Sequence, residues 1–346
     1  DMETLGALNG LANRLDIPLL IEADGSRQRP LKAPAPHEPA IPEWVNHVIV
    51  AAGLSGLGKP LDESVVHRPE IYSQLSGVGE GQVINPEDAA RVLKHPSGGL
   101  KNMPAGAKRT LLLNQADDRQ LYISGMRVAN TATKFYDQII ITSLKNQRTW
   151  ATIEPTAGII LAGGGAARFG QPKILMLWRG KPLIHHAVTA AIAGGLDPII
   201  VVLGPVVEPV RAALAGLPVT ITENALWQHG MSTSIRKGLE SLPGDTGAAL
   251  FLLADQPTVT PEVIKALIAR HQETLAAIVA PRVGSRRTNP VLFDVDTFPE
   301  LMQIEGDIGG RAIFHKHTIE YVDWEDARLL IDVDTLDDFQ KLSELG

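Results

Sequence analysis

The sequence predicts an α/β protein of two domains, each on a mostly parallel sheet. Three observations carry this. Short β-branched runs alternate with helix-like stretches along the chain, the pattern of helices layered on a parallel sheet. The 346 residues exceed one ordinary core, since most domains hold about 100–200 residues. A polar stretch, Asn146–Thr156, divides the alternation into two blocks. Domains are accordingly expected over residues 1–150 and 155–346.

In the first block the expected strands are Ile17–Asp24, His47–Gly53, Arg109–Asp117 and Gln138–Ser143. In the second they are Ala157–Gly164, Asp197–Gly204, Leu217–Glu223, Ala248–Asp255, Ala276–Pro281 and Ile319–Trp324. Each is a short apolar run bounded by turn residues. No internal repeat and no low-complexity tract interrupts them.

Composition narrows the function classes. The chain is 44% hydrophobic and 21% charged, as globular proteins are. No apolar run approaches the roughly 18–20 residues of a membrane span, and no basic-then-apolar leader opens the sequence. A cytoplasmic location is the expectation. The absence of cysteine excludes disulfides, thiolate metal sites and cysteine nucleophiles. A net charge of −7 argues against a nucleic-acid partner, which needs a clustered basic surface. Aromatic residues make up 5%, too few for base-stacking platforms. An anionic substrate must be held by local Arg, Lys and backbone N–H groups.

The segment Gly158–Ile184 holds the densest chemistry. An apolar run ends at Leu161-Ala162, and Gly163, Gly164 and Gly165 follow. Without Cβ atoms, their N–H groups stand open to a polyphosphate. Arg168 and Lys173 lie close enough in sequence to add charge-assisted hydrogen bonds. A Walker A loop fits poorly: Gly165 and Gly170 have the spacing, but Gln171-Pro172 displaces the lysine. A dinucleotide fingerprint fits no better, because the next strand ends without an acid.

The run LAGGGAARFGQPK (161–173) resembles the signature of the MobA-like NTP transferase family. The resemblance implies a Rossmann-like nucleotidyltransferase fold from 155 to the end. It implies a loop that wraps the NTP, with Leu161 to Gly165, Arg168 and Lys173 as nucleotide contacts. Further segments follow in the family's order. GMSTS (Gly230–Ser234) resembles the base-reading segment of the molybdenum cofactor cytidylyltransferase branch, with Gly230, Ser232 and Ser234 as contacts. Read alone, its hydroxyls are a ready helix N-cap whose free amides and dipole suit a base or phosphate. ADQP (254–257) places Asp255 at the end of a buried strand, where α/β sheets bind ligands. A buried acid needs a partner, and a metal is a natural one. The family implies that Asp255 holds Mg²⁺, or Mn²⁺, with Asp334 as second ligand and Asp332 assisting. Asp332 and Asp334, two apart in an apolar run read as a strand, would share one face. PRVGSRRTNPVLF (281–293) reads as two strands around a turn; it and EGDIGGRAIF (305–314) resemble the acceptor-side segments, offering Arg286, Arg287, Asn289 and Arg311.

The N-terminal block resembles the YqeC family, accessory proteins of molybdenum hydroxylases. Its segments are Ile21–Leu61, Val66–Glu70 and Gly98–Asp117. The fold implied is a small α/β domain like a truncated P-loop NTPase core. Asp24 stands where a Walker B-type acid would, and Asn114-Gln115-Ala116-Asp117 is similar to a base-reading turn. No GxxxxGK lies within residues 1–23. His315 and His317 read as an exposed strand face rather than as metal ligands.

Together the resemblances imply a Mg²⁺-dependent transferase with Lys173, Arg168 and Asp255 as catalytic residues. It would move a nucleoside monophosphate from an NTP to the phosphate of molybdopterin or the molybdenum cofactor. The Gly-Met-Ser and Asp-Gln-Pro segments point to CTP and Gly163 to GTP; two segments against one residue favour CTP, with GTP as the alternative. Two other readings stand: a sugar- or lipid-phosphate nucleotidyltransferase on the same fold, and a non-catalytic cofactor carrier for a molybdenum hydroxylase client.

Overall fold

A computed structural model describes residues 2–163, 172–244 and 246–345. These divide into two compact units, Asp1–Ile153 and Glu154–Gly346. No helix among the described residues is long and apolar enough to cross a membrane.

In the N-terminal unit four strands lie in chain order: β1 (His47–Gly53), β2 (Lys108–Asn114), β3 (Gln138–Ser143) and β4 (Arg148–Ile153). The first three run parallel, and β4 returns antiparallel to β3. Helices α1 (Met2–Leu15), α2 (Pro69–Ser76), α3 (Pro86–Leu93) and α4 (Arg119–Ala132) accompany them. Two helix starts are explicit in the sequence. Asp118 caps α4 by accepting from the Leu121 amide, and Asn85 and Asp88 form a capping box on α3.

Two expectations change here. Ile17–Asp24 is not a strand: it runs as coil, with Ile17 and Leu20 exposed. An apolar run becomes a strand only when a neighbour takes its backbone groups, and none among the described residues pairs with it. Conversely, the polar stretch read as a linker contains β4. Its outer residues look like linker, yet Ala151 and Ile153 alternate into the core, while Trp150 stacks on Tyr122 at 4.9 Å and donates Nε1–H to Ala116 O.

Asp24 pairs with Lys32, and burial pushes its carboxyl above the usual range against that lysine's pull. Lys32 also stands 3.3 Å from Glu38, which accepts both guanidinium arms of Arg68 at 2.6 and 2.7 Å. That fork holds the Glu38 carboxyl down at about 2. At the ends of β2 and β3, Asn114 Oδ1 accepts from the Leu144 amide and Asp117 Oδ1 from Ser143 Oγ.

The C-terminal unit carries the larger sheet. Its strands are β5 (Thr156–Ala162), β6 (Ile199–Leu203), β7 (Thr220–Glu223), β8 (Ala248–Leu253), β9 (Ile278–Val283), β10 (Arg286–Arg287), β11 (Val291–Asp294) and β12 (Ile319–Asp323). Their order is β7-β6-β5-β8-β11-β9-β10, with β12 alongside β9. The first four are parallel; β11 is antiparallel to β8 and to β9. Helices α5 (Leu183–Gly194), α6 (Val207–Ala213), α7 (Met231–Glu240), α8 (Pro261–Thr274) and α9 (Leu336–Glu344) accompany it, with a single helical turn at Phe298–Leu301.

β5, β6 and β8 are buried on both sides, which is why they read as unbroken apolar runs. One face packs Ile160, Val201, Leu203, Leu250 and Leu252 with α5 and α8. The other packs Ile159, Ile200, Val202 and Phe251 with α7. Residues 331–334 form no strand, contrary to the reading above. Val333, fully buried with Trp178, Leu183 and Leu342, pins this segment to the domain instead, and its amide donates to Asp255 O. His315 ends up in the 3-10 turn Gly310–Lys316 rather than on a strand, and His317 closes that turn, 3.1 Å from Glu300.

Candidate active site

The carboxyl ends of the four parallel strands β7, β6, β5 and β8 form a row; Asn224, Gly204 and Gly163 follow the first three directly, and Asp255 follows the fourth after Ala254. The register fixes this: Glu223 pairs with Leu203, Leu203 with Ala162, and Leu161 with Leu253. In open α/β sheets this edge is where ligands bind.

The row is tightly packed at its centre. A Cβ on Gly204 would meet Gly163 O at 2.6 Å, and a Cβ on Gly163 would meet Ser234 Oγ at 2.9 Å. Ser234 cannot easily yield, because buried Asn224 donates from Nδ2 to Ser234 Oγ at 3.0 Å and to Thr233 Oγ1 at 2.8 Å. Asn224 is anchored in turn by its amide to Leu203 O and by its Oδ1, which takes the Leu226 amide. The motif reading missed Asn224. Its sequence signal was weak, because the strand before it, Thr220–Glu223, is itself mostly polar.

α7 begins differently from its expected form. Gly230, not a hydroxyl, stands at the N-cap, at φ 103°, and a Cβ there would run into Gly306 at 2.3 Å. The helix's opening amides are already occupied: Met231 N donates to Asp307 Oδ1 at 3.2 Å and Ser232 N to Gly306 O at 3.2 Å. Asp307 therefore supplies the negative charge that the helix dipole favours. Ser232 Oγ is buried without a hydrogen-bond partner among the described residues.

On the other side of β5 the charged groups converge. Lys173 opens a short 3-10 turn, Lys173–Leu175, after Pro172. Its Nζ lies 2.6 Å from Asp255 Oδ2 and 3.0 Å from Asp334 Oδ1, and it donates to Val333 O at 3.2 Å. Asp255, Asp332 and Asp334 each offer an oxygen, all within 4.8 Å of one another. Burial works to lower the Lys173 pKa, but Asp255 and Asp334 outweigh it and raise it. Burial, then the charges of Asp255 and Asp334, push the Asp332 carboxyl up to about 6.

The donor set fits a divalent cation. Asp255 Oδ1 and Asp332 Oδ1 are buried with no hydrogen-bond partner among the described residues. Such atoms are costly unless something satisfies them. An all-carboxylate oxygen set suits Mg²⁺ or Mn²⁺ rather than a soft metal.

The remaining candidates are placed less closely. Leu161 and Ala162 belong to β5 itself; Leu161 O accepts the Ala254 amide and Ala162 pairs with Leu203. Gly164, Gly165 and Arg168 lie outside the described residues. Arg286 and Arg287 are exposed on β10, with Arg287 over the Phe314 ring at 5.5 Å. Arg311 is exposed in the 3-10 turn and Asn289 is half-buried before β11. Among the described residues no hydrogen bond or ion pair joins these four to the carboxylate cluster.

Residues 158–321 match the MobA-like NTP transferase domain, and residues 3–70 match the YqeC protein. The chain is 38% identical over 97 residues to the uncharacterized protein YqeC of Escherichia coli K12, 28% of this chain and 38% of that protein. It thus spans well under half of that relative. It is 28% identical over 200 residues to the nicotine blue oxidoreductase of Paenarthrobacter nicotinovorans, 54% of this chain and 95% of that protein. The crystal structure of Rv0371c from Mycobacterium tuberculosis H37Rv is similar with a TM-score of 0.51 at 26% identity, covering 55% of this chain and 98% of that one. The strand-end row and the carboxylate cluster thus lie in the unit that matches the MobA-like NTP transferase domain, and the chain opens in a segment that matches YqeC.

Proposed function

We propose that the C-terminal unit moves a nucleoside monophosphate, CMP in preference to GMP, from an NTP to the phosphate of a molybdopterin-type acceptor. The observation that carries the reading is the Lys173 ammonium set between Asp255 and Asp334, with Asp332 beside them, at the end of β8. In this reading an oxygen of the acceptor phosphate attacks the α-phosphorus. The bond from that phosphorus to the bridging oxygen breaks, and pyrophosphate leaves. Such a transfer needs positioning and charge neutralisation more than covalent help from the protein.

The residues divide the work. Gly163 after β5 and the α7 segment, packed against each other at Ser234, form the nucleotide side. Lys173 neutralises charge on the transferred and departing phosphates. Asp255 and Asp334, with Asp332 behind them, would hold Mg²⁺ or Mn²⁺, which when bound supplies Lewis-acid charge at the α-phosphate. Arg286, Arg287, Asn289 and Arg311 are assigned to the acceptor. CTP is favoured because the Gly230–Ser234 and Asp255–Pro257 segments both resemble the cytidylyltransferase branch. A molybdenum hydroxylase is the proposed client of the finished cofactor.

One relative bears an oxidoreductase's name. The cluster of three carboxylates around an ammonium favours phosphate chemistry here, since hydride transfer makes no use of it. The test is pyrophosphate release from CTP, GTP, ATP and UTP, each with and without molybdopterin. Release with CTP that depends on the acceptor supports the proposal. Pterin binding without pyrophosphate from any NTP would replace it with a carrier.

A further inference from the structure

Lys173 has a place in the carboxylate cluster that a bound cation also needs. An ammonium has three N–H donors, and Lys173 Nζ has three acceptors at hand: Asp255 Oδ2 at 2.6 Å, Asp334 Oδ1 at 3.0 Å and Val333 O at 3.2 Å. Its hydrogen-bonding capacity is therefore met within the cluster. Asp255 and Asp334 are also two of the three residues whose oxygens lie within 4.8 Å of one another.

Mg²⁺ binds carboxylate oxygens at about 2.0–2.1 Å. A cation held by the Asp255 and Asp334 carboxylates would stand against Nζ if Nζ stayed, two positive centres within roughly 4 Å in a half-buried site. The two cations therefore compete for those carboxylates, and each weakens the other's hold on them. Lysine suits the part that must leave: its charge is a point on a flexible four-carbon stem, with no fixed fork to unmake. Its backbone is held independently, by the 3-10 turn in which Met176 N bonds Lys173 O, so the ammonium can swing while the turn stays.

We infer that Lys173 is the cluster's own counter-ion in the free protein and yields its position when a divalent cation enters. This rests on the metal site proposed above. The exchange makes the free cation bind weakly, because entry breaks three good hydrogen bonds. A nucleotide that brings its own phosphates gives the released ammonium a new anionic partner, so cation and nucleotide load together.

The measurement is Mn²⁺ binding to the full chain without nucleotide, by titration calorimetry or by the loss of the free-ion EPR signal. Lys173→Met is expected to bind Mn²⁺ at least tenfold more tightly than the unaltered protein. Lys173→Arg, which keeps the charge, should stay within about threefold of it. Unchanged or weaker binding in Lys173→Met, with a far-ultraviolet spectrum like that of the parent, overturns the exchange. The double change Asp255→Asn with Asp334→Asn should abolish Mn²⁺ binding with Lys173 present or replaced. Mn²⁺ binding that survives the double change would instead sink the metal site, and the exchange with it, so the two failures are told apart.

Discussion

Gly163 and Ser234 are packed as closely as the absence of a side chain permits: a Cβ on Gly163 would sit 2.9 Å from Ser234 Oγ. Gly163→Ala should therefore push the backbone at residue 163 away from α7 and lower kcat/KM for the NTP by about tenfold, or roughly 1.4 kcal/mol. Ser234→Ala in the same chain should return most of the loss. If the double variant is as impaired as the single one, the contact does not set the spacing.

Asn224, directly after β7, joins β6 through its backbone amide and the first turn of α7 through its side chain. Asn224→Ala leaves the Thr233 and Ser234 hydroxyls without their buried donor, at a cost of about 1–3 kcal/mol in stability. The KM for the NTP should rise more than kcat falls, because the groups it orients are on the nucleotide side. Equal effects on both parameters, or none, would confine Asn224 to a structural role; chemical denaturation and steady-state kinetics give the two numbers.

Asp255→Asn keeps the shape of the strand end and removes its charge. Turnover should fall at least a hundredfold, since the change removes a ligand from the proposed cation site and an anion from Lys173. The far-ultraviolet spectrum should not change. Residual Mg²⁺-dependent pyrophosphate release within threefold of the parent would move the metal assignment elsewhere.

Glu38 carries a pH dependence of stability in the N-terminal unit. Its carboxyl is held at about 2, chiefly by the Arg68 guanidinium, against an unfolded value near 4.5. The folded state therefore binds the proton less tightly than the unfolded chain. The stabilisation is full above pH 4.5 and is lost as pH falls towards 2. Screening of this half-buried pair limits it to about 1 kcal/mol or less. Glu38→Gln should lower the melting temperature at pH 7 by a few degrees and make no difference near pH 2; an equal shift at both values contradicts the ion-pair account.

Much of the C-terminal sheet was legible because its strands are buried on both faces, so apolar runs such as Ile199–Leu203 and Ala248–Leu253 announce themselves. Asp255, Asp334 and Lys173 were legible as separate signals, and folding brings them together. The errors have a common cause. Ile17–Asp24 has strand composition but no neighbour to pair with, while Arg148–Ile153 looks polar yet has β3 beside it. Strand formation depends on partners that a local reading does not see. The Gly230 cap was hidden for the same reason: the groups that satisfy α7, Gly306 and Asp307, lie some 76 residues away.

That last contact has a consequence for the reaction. Asp307 belongs to the segment proposed to face the acceptor, and the amide it accepts from opens the helix proposed to face the nucleotide. A ligand that draws residues 305–307 toward itself must loosen their grip on α7, and one that seizes the α7 amides must set Asp307 free. Linkage of this kind runs equally in both directions. The two substrates of the transfer should therefore sense each other's arrival, and the affinity of either should depend on the concentration of its companion.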